Sequence, residues 1–319
     1  MRLLADGQLH SGPQLAAALG CSRAAVWKAL QRLDERGLML ESLPGRGYQL
    51  AAPLDLLDAE QVLAELSPDA AERLEDLALC WETDSTKRRL QRGPPPISGP
   101  ARVCRAVFLP GGRGRRGRRW ISPLASGLCL SLSWRFDTPP PGITALGPAV
   151  GAMLREALAG HAADARLKWP NDIVTDSGKL AGLLLEVGGE AEGPLTVVVG
   201  IGVNVSVRPG LPPGEVAALP PASLADSGRV PSRSRLAAQF IDALVRGLQQ
   251  FELEGFAPFA DRWAHWDAFR NRPVTVTVAG QPPRGGIARG IAPDGALLLE
   301  AGGRVETLYA GDVSLRAAA

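Results

Sequence analysis

The sequence predicts an α+β protein of three domains: a winged helix-turn-helix, a central sheet covered by helices, and a small β-barrel. The chain has 319 residues, which suits two or three domains better than one. Two short helical patterns stand at the start, helical and strand-like stretches mix through the middle, and short strands joined by glycine turns end the chain. We therefore expect domains over 1–52, 53–270 and 271–319.

The composition excludes several classes of protein. Hydrophobic residues make up 45% of the chain, so it can bury a sizeable core. The formal net charge is only +2, so any basic site must be local. The four cysteines are scattered without a C-x-x-C pair, which argues against a zinc site or a disulfide framework. No apolar run is long enough for a signal peptide or for the roughly 20 residues of a membrane helix. We expect a soluble, cytoplasmic protein with no membrane partner.

The first domain begins with two short helices. In "SGPQLAAALG", Ser11 is placed to cap a helix that Gly20 ends. In "CSRAAVWKALQRLDERG", Ser22 is the expected cap and Gly37 the expected end, and apolar residues recur at i, i+4 and i+7: Val26, Leu30 and Leu33. The short turn between them predicts a helix-turn-helix, and "LMLESLPGRGYQL" reads as the strand, turn and strand of a wing.

The second helix of such a motif presents its outward face to the major groove of DNA. The residues expected to contact DNA are Ser22, Arg23, Lys28, Gln31, Arg32 and, on the wing, Arg46. The alternative is a helical packing module with solvated charges. Only "MRLLADG" precedes the first turn, so we expect the first helix to be short, and a vestigial DNA-binding domain stays a second alternative.

The second domain mixes helical stretches with apolar runs such as "GLCLSLSWRF" and "LTVVVGIGVNV". We interpret these strands as apolar at both odd and even positions, and therefore on both faces, which predicts a sheet covered by helices. The proline-rich stretches "RGPPPISGP" and "RPGLPPGEVAALPPAS" are expected to be loops, with disordered linkers as the alternative. In the third domain, short strands with Gly and Asp-Gly turns predict the small barrel, which contributes stability or contacts a protein partner.

Five motifs of the second domain carry chemistry: "DST" at 84–86, "GRGRRGRRW" at 112–120, "KWPND" at 168–172, "GKLAG" at 178–182 and "GIGVN" at 200–204. Glycines let backbone N–H groups approach a phosphate or carboxylate closely, and arginine and lysine stabilise negative charge. The chain has neither a G-x-S-x-G nucleophile motif nor a Walker A loop. Catalysis by positioning and charge neutralisation, as in nucleotidyl transfer, therefore fits better than covalent catalysis. The alternative for the arginine stretch is an RGG-like nucleic-acid patch.

In this order and spacing, the five motifs resemble those of the biotin–protein ligases. The likeness extends to the helix-turn-helix start and to "IARGIAPDGALLLE" near the end, as in the bifunctional bacterial class that also represses biotin-synthesis genes. It implies a winged helix, a central mixed β-sheet with helices on one face, and a C-terminal SH3-like β-barrel. It also implies a two-step reaction. Biotin and ATP with Mg²⁺ give biotinyl-5′-AMP and pyrophosphate, and a lysine of the biotin carboxyl carrier protein of acetyl-CoA carboxylase then attacks the mixed anhydride.

The resemblance also assigns the motif residues to parts of the site. The biotin pocket would be lined by Ser85, Thr86, Gly112, Arg113, Arg115, Lys179, Gly182 and Gly200. The nucleotide side would be formed by Arg118, Trp120, Lys168, Asn171, Asp172 and Asn204. The catalytic residues would be Arg115 and Lys179, which stabilise charge at the carboxylate and α-phosphate, and Asp172, which holds Mg²⁺.

The same resemblance makes the arginine stretch a lid over the acyl-adenylate. It further implies that the adenylate acts as corepressor. Adenylate-bound chains would form a homodimer through the strand "LLLEVGG" and bind operator DNA, and the same surface would receive the carrier protein.

Two positions depart from the family pattern. Lys87 follows Thr86 where the family usually has Asn, and we expect it to point to solvent or pair with Asp84. Leu109 stands three residues before Gly112 where the family usually has Gln, and it could remove a polar contact to the ligand.

Two other functions stay open as alternatives. A lipoate or octanoate ligase shares the central fold, but the arginine motif argues against it. A transcription factor that senses biotin or its adenylate without ligating it is the other, and the intact Arg115, Lys179 and Asp172 argue against that.

Overall fold

The computed structural model describes residues 1–34, 38–93, 96, 99, 101–109, 111–112, 114, 117, 119–190, 193–206, 219–228, 230–278, 280–310 and 313–317. In these residues the strands form a two-stranded, a seven-stranded and a five-stranded sheet, in that order along the chain. This arrangement confirms the predicted α+β class. Across the described ranges, no helix is both long and apolar enough to cross a membrane.

The N-terminal region is a winged helix-turn-helix with a reduced first helix. A single 3₁₀ turn, Arg2–Leu4, precedes helices α1 (Gly12–Leu19) and α2 (Arg23–Asp34), and strands β1 (Leu40–Leu43) and β2 (Gly47–Leu50) pair antiparallel as the wing. Both predicted caps are confirmed, because the hydroxyl of Ser11 accepts from Gln14 N and that of Ser22 from Ala25 N. Gly20 ends α1 in the left-handed conformation, at φ 61°, and the predicted end of α2 at Gly37 lies outside the described residues.

The winged helix shares its core with the central sheet. One buried cluster joins Leu4, Leu15, Val26, Leu30, Leu38 and Leu50 to Val107, Leu124 and Ala125. The last three residues flank the arginine stretch on both sides. The winged helix is therefore packed against the strand ends from which that stretch emerges.

The central region builds one mixed sheet, and its helices come before, between and after the strands along the chain. Its helices are α3 (Ala59–Glu65), α4 (Pro68–Glu72), α5 (Thr86–Arg92), α6 (Leu146–Ala157), α7 (Arg233–Glu254) and α8 (Ala257–Trp266). Its strands are β3 (Leu74–Glu82), β4 (Ala101–Phe108), β5 (Gly127–Phe136), β6 (Arg166–Lys168), β7 (Asp172–Thr175), β8 (Gly178–Gly189) and β9 (Leu195–Asn204). The strand order is β3-β4-β5-β9-β8-β7-β6, and only the β3–β4 pair among these is parallel.

The two faces of the sheet differ. Leu128, Leu130 and Leu132 of β5 belong to the main core, which α6 and α7 cover. Cys129 and Ser131 alternate with them and lie on the opposite face, where α5 packs on β4, β5 and β9. The expectation that the strands are apolar on both faces is therefore wrong for β5. The physical reason is that its second face carries α5 and the site described below rather than a second layer of core helices.

The C-terminal region is a five-stranded antiparallel sheet. Its strands are β10 (Pro273–Val278), β11 (Arg284–Ile291), β12 (Leu297–Ala301), β13 (Arg304–Leu308) and β14 (Val313–Ala317), in the order β13-β12-β11-β10-β14. Within the described residues no pairing joins β13 to β14, so the sheet of the SH3-like region is not closed into a barrel. The predicted Asp-Gly turn joins β11 to β12, with Gly295 at φ 82°. Its carbonyl accepts a hydrogen bond of 3.0 Å from Trp169 Nε1, which joins this region to the KWPND motif.

Candidate active site

A row of small residues crosses the face of the central sheet opposite its main core. Gly182 of β8, Gly202 of β9 and Cys129 of β5 are direct neighbours across the strands, and Asp172 of β7 follows Gly182 at one end of the row. Directly opposed residues of neighbouring strands point to the same face. We call Gly182, Gly202 and Cys129 the glycine floor. It gives the sheet a flat surface that ends at a carboxylate.

The indole of Trp120 lies on this floor. A Cβ atom added to Gly202 would meet Trp120 Cε2 at 2.4 Å, and one added to Gly182 would meet Cζ3 at 3.2 Å. Position 202 must therefore be glycine for the ring to lie where it does, whereas a side chain at position 182 would press tightly on the ring. Lys179 Nζ is 5.7 Å from the ring centroid, within the range of a cation–π contact.

The arginine stretch is a loop closed at its base. It joins β4 to β5, as the prediction of a loop between strands requires, and Trp120 N donates to Gly112 O at 2.8 Å. A Cβ at Gly112 would lie 2.4 Å from Trp120 O, so this close approach of two backbones requires glycine there. The loop thus begins and ends over the glycine floor. Four of its arginines, Arg113, Arg115, Arg116 and Arg118, lie outside the described residues, and the roles assigned to them stay predictions.

The DST motif stands beside the floor at the start of α5. Ser85 caps the helix by accepting from Arg88 N, and Thr86 Oγ1 is hydrogen-bonded to Ser131 Oγ at 2.7 Å. Ser131 is the cross-strand neighbour of Gly200. The fold therefore brings Thr86 and Gly200, which are far apart in sequence, to Ser131, two residues from Cys129 of the floor. The assignment of Ser85, Thr86 and Gly200 to a biotin pocket stays a prediction.

Lys87 differs from the expectation. Its ammonium donates to the carboxylate of Glu186 on β8, which also accepts from Gln91 Nε2, and its side chain is only 13% exposed. The predictions of a solvated Lys87 or a pair with Asp84 are both wrong. The reason is that Leu90 of α5 packs on Val198, the cross-strand neighbour of Glu186, so this side of the helix faces β8.

Three charged groups meet at the end of the floor. Asp172 Oδ1 is 2.6 Å from Lys179 Nζ, and Oδ2 is 3.1 Å from Lys168 Nζ. Burial alone would raise the pKa of Asp172, but the charges and hydrogen bonds of Lys179 and Lys168 outweigh it and hold that pKa below its usual range. One carboxylate and two ammonium groups leave a net positive charge. This end of the floor is therefore suited to an anion such as a phosphate or a carboxylate.

The two asparagines hold backbone around this cluster. Asn204 Nδ2 donates to Ala222 O at 2.8 Å and to Lys179 O at 3.3 Å, and Asn171 Nδ2 donates to Leu183 O. Their amide nitrogens thus fix the strand that carries Lys179. That strand begins at Gly178, so Lys179 is the second residue of β8.

The described residues contain no group of three or more His, Cys, Asp or Glu side chains arranged to hold a metal ion. Asp172, the predicted Mg²⁺ partner, already has both oxygens engaged by lysines. A single ionised carboxylate fits a Mg²⁺ ion that arrives with nucleotide phosphates, since such an ion takes one or two protein carboxylates and keeps phosphate oxygens and water as its other ligands.

Sequence reasoning missed the roles of four residues of the site. Ser131 and Cys129 were detectable, because the run "GLCLSLSWRF" alternates leucine with small residues. Gly202 lies inside a motif that was recognised, yet no sequence signal showed that an indole would lie on it. Trp169 was seen only as part of KWPND, and its contact with Gly295 joins residues 126 positions apart.

Three family models match the chain in sequence order. An HTH domain matches residues 1–49, the biotin/lipoate A/B protein ligase family matches residues 101–204, and the biotin protein ligase C-terminal domain matches residues 270–316.

Similar proteins and a similar solved structure agree with these matches. The bifunctional ligase/repressor BirA of Escherichia coli K12 is 39% identical over 318 residues, covering 99% of this chain and 96% of that protein. The protein of the same name from Bacillus subtilis is 28% identical over 320 residues, covering 98% and 95%. The structure of biotin protein ligase from Aquifex aeolicus in complex with biotin and ATP has a TM-score of 0.63 at 24% identity, covering 77% of this chain and all of that one, and so shows a shared fold. The full-length match at 39% identity shows that the chain belongs to the family of bifunctional biotin–protein ligases and repressors.

Proposed function

We propose that this chain activates biotin with ATP, transfers the biotinyl group to a lysine of the biotin carboxyl carrier protein of acetyl-CoA carboxylase, and represses biotin-synthesis genes. The observation that carries the ligase function is the cluster of Asp172, Lys168 and Lys179 at the end of the glycine floor. A flat floor suits a small ring system, and its positive end suits a carboxylate and a phosphate that must meet there. The full-length likeness to the E. coli ligase/repressor supports both functions.

In the first step, a carboxylate oxygen of biotin attacks the α-phosphorus of ATP. A new P–O bond forms, the bond to the β-phosphate oxygen breaks, and pyrophosphate leaves. Lys179, one third exposed and next to the floor, would stabilise the charge on the carboxylate and α-phosphate, while the nearly buried Lys168 keeps Asp172 ionised and oriented. Arg115 is proposed to share the charge with Lys179, and the loop 112–120 to exclude water as a lid.

The two ends of the site hold different parts of the ligand in this proposal. Biotin lies against the floor, in the pocket formed by Ser85, Thr86, Gly112, Arg113, Gly182 and Gly200. The nucleotide lies towards Arg118, Trp120, Lys168, Asn171 and Asn204. Because the indole of Trp120 now covers the floor, we expect it to move when biotin binds.

Asp172 is proposed as the single protein ligand of a Mg²⁺ ion that ATP brings to the site. When bound, the metal supplies neutralisation of phosphate charge, which complements that of the lysines. In the second step, the carrier lysine attacks the carbonyl carbon of biotinyl-5′-AMP, an amide bond forms, and AMP leaves.

The free edge of β8 is proposed as the shared surface for the homodimer and the carrier protein. In the described part of the chain, β7 pairs with β8 only as far as Gly182, whereas residues 184–189 pair with β9 alone. An unpaired strand edge can accept a strand of another chain. We propose that adenylate-bound chains dimerise there before binding operator DNA, with the adenylate as corepressor. Sedimentation with and without the adenylate tests this, and an unchanged monomer at high concentration would count against it.

The experiment that tests the ligase function is biotin-dependent exchange of pyrophosphate with ATP, with lipoate as the control substrate. Exchange with biotin alone supports the proposed first step. Exchange with lipoate instead would favour the lipoate-type alternative. Absence of exchange with either would favour the sensor that no longer ligates. A cytoplasmic location, where carrier protein and operator are found together, is part of this proposal.

A further inference from the structure

Trp27 is a large apolar side chain left half exposed on the second helix of the winged helix. It stands in the middle of α2 with 50% of its surface open to solvent. Its neighbours Val26 and Leu30 are 2% and 5% exposed and fill the core of this region. The helix therefore has a buried side for apolar residues, and Trp27 does not lie on it.

The position of Trp27 places it among residues predicted to contact DNA. Arg23, Trp27 and Gln31 follow one another at intervals of four, so their side chains lie along one side of the helix. Arg23 and Gln31 are both exposed. The apolar ring is thus flanked, one turn away on each side, by a cation and by an amide.

The chemistry around this stripe favours a polyanion over a protein surface. Lys28 and Arg32 on the same helix and Arg46 on the wing are exposed as well, and in the part of the chain that the structure describes no ion pair neutralises any of these cations or Arg23. The exposed Ala24 and Ala25 keep the first turn of the helix slim, which allows close approach to a groove. Charge and shape together point to double-stranded DNA.

We propose that Trp27 is a specificity-determining DNA contact that seats α2 in the major groove. Its ring packs on thymine methyl groups and on the apolar deoxyribose surface at the groove wall, while its Nε1–H donates to a phosphate oxygen. Thymine is the base whose methyl group offers an apolar surface in the major groove, so this contact favours sites with thymine at the position beneath the ring. The inference rests on the proposed repressor function and adds a residue to its DNA-binding surface.

The test compares the wild-type protein with Trp27→Ala and Trp27→Phe. Trp81→Ala is the matched control, since Trp81 is 47% exposed but lies on β3, the edge strand of the central sheet. Duplexes are first selected from a randomised library on wild-type protein with biotin and ATP present, and affinities are then measured by fluorescence anisotropy at fixed salt. Pyrophosphate exchange and the unfolding temperature show that each variant is folded.

Trp27→Ala is expected to weaken binding to the selected duplex about tenfold, the order of one lost base contact. Trp27→Phe should retain most of the affinity, and Trp81→Ala all of it. Replacing thymine by uracil at the contacted position should weaken the wild type and leave Trp27→Ala unchanged. Equal affinity and equal selected sequences for wild type and Trp27→Ala would overturn the inference, and would leave Trp27 available for a protein partner instead. If the wild type itself selects no sequence, the proposed repressor function fails and the inference falls with it.

Discussion

Asp172→Asn is the substitution that most directly tests the charged cluster at the end of the floor. The side chain of Asp172 is 14% exposed and holds Lys179 at 2.6 Å and Lys168 at 3.1 Å. An asparagine has almost the same shape, so it keeps the packing but removes the negative charge. Two ammonium groups then remain close together without a counter-ion.

The size of the effect follows from these distances. At an effective dielectric constant of about 20, unit charges at 3.1 and 2.6 Å attract by about 5 and 6 kcal/mol before desolvation is counted. The net cost of removing one partner of a buried pair is smaller, about 3–5 kcal/mol. Since Lys179 is one third exposed and can be hydrated, whereas Lys168 cannot, we expect the free energy of unfolding to fall by about 3 kcal/mol, at the lower end of that range.

Denaturant unfolding at several pH values measures this loss. The pKa of Asp172 is lower in the folded than in the unfolded protein, so its ionised form stabilises the fold above the unfolded pKa of about 3.9. This contribution disappears as the pH falls through the lower folded pKa. The difference in free energy of unfolding between wild type and Asp172→Asn should therefore be largest near neutral pH and shrink below about pH 4.

The double variant Asp172→Asn with Lys168→Met separates stability from function. Methionine removes the buried ammonium that lost its partner, so stability should recover at least in part. Biotin-dependent pyrophosphate exchange, which we expect Asp172→Asn to abolish because the charged cluster is broken, should not recover. An Asp172→Asn protein as stable as the wild type at pH 7 would refute the reasoning, because it would show that the lysines do not depend on this carboxylate.

The remaining predictions concern the floor and its surroundings. Gly202→Ala places a methyl group on the glycine floor, where biotin is proposed to lie and where it meets the indole of Trp120 at 2.4 Å, so we expect the KM for biotin to rise about tenfold or more. Gly160→Ala, which meets nothing within 4 Å and lies outside the site and the proposed binding edge, is the control and should leave the KM unchanged. Leu109→Gln restores the residue usual in the family next to Trp120 and should tighten biotin binding; an unaltered calorimetric affinity would argue against this. A partial loss of stability is expected for the same variant, because an amide enters a buried position, and thermal unfolding measures it.

Local signals in the sequence predicted much of the N-terminal region. Ser11, Ser22 and Gly20 cap or end helices through hydrogen bonds and backbone angles that involve only near neighbours, so their residue types are sufficient evidence. The motifs were also recognisable one by one. The sequence did not show that the motifs meet at one face of the sheet, because this depends on the order of strands that are distant in sequence.

Lys87 shows where local reasoning ends. Its sequence neighbour Asp84 was the natural partner to predict, yet its ammonium pairs with Glu186, 99 residues away. The partner is decided by how α5 lies across β9, and that is fixed by the packing of Leu90 on Val198. The ion pair thus follows from the packing of larger elements and not from the order of residues along the chain.

By itself, the sequence determined the winged helix, the order of the three regions, the five motifs and their resemblance to biotin–protein ligases. These depend on periodicity, capping residues and motif spacing, which are properties of short segments. Only the tertiary structure decided that Gly182 and Gly202 form one floor with Trp120 on it, that Asp172 lies between two lysines, and that residues 184–189 pair with β9 alone among the described strands. Those facts depend on strand register and on packing between distant segments, and the free energy of packing is shared by the whole fold rather than encoded in any one segment.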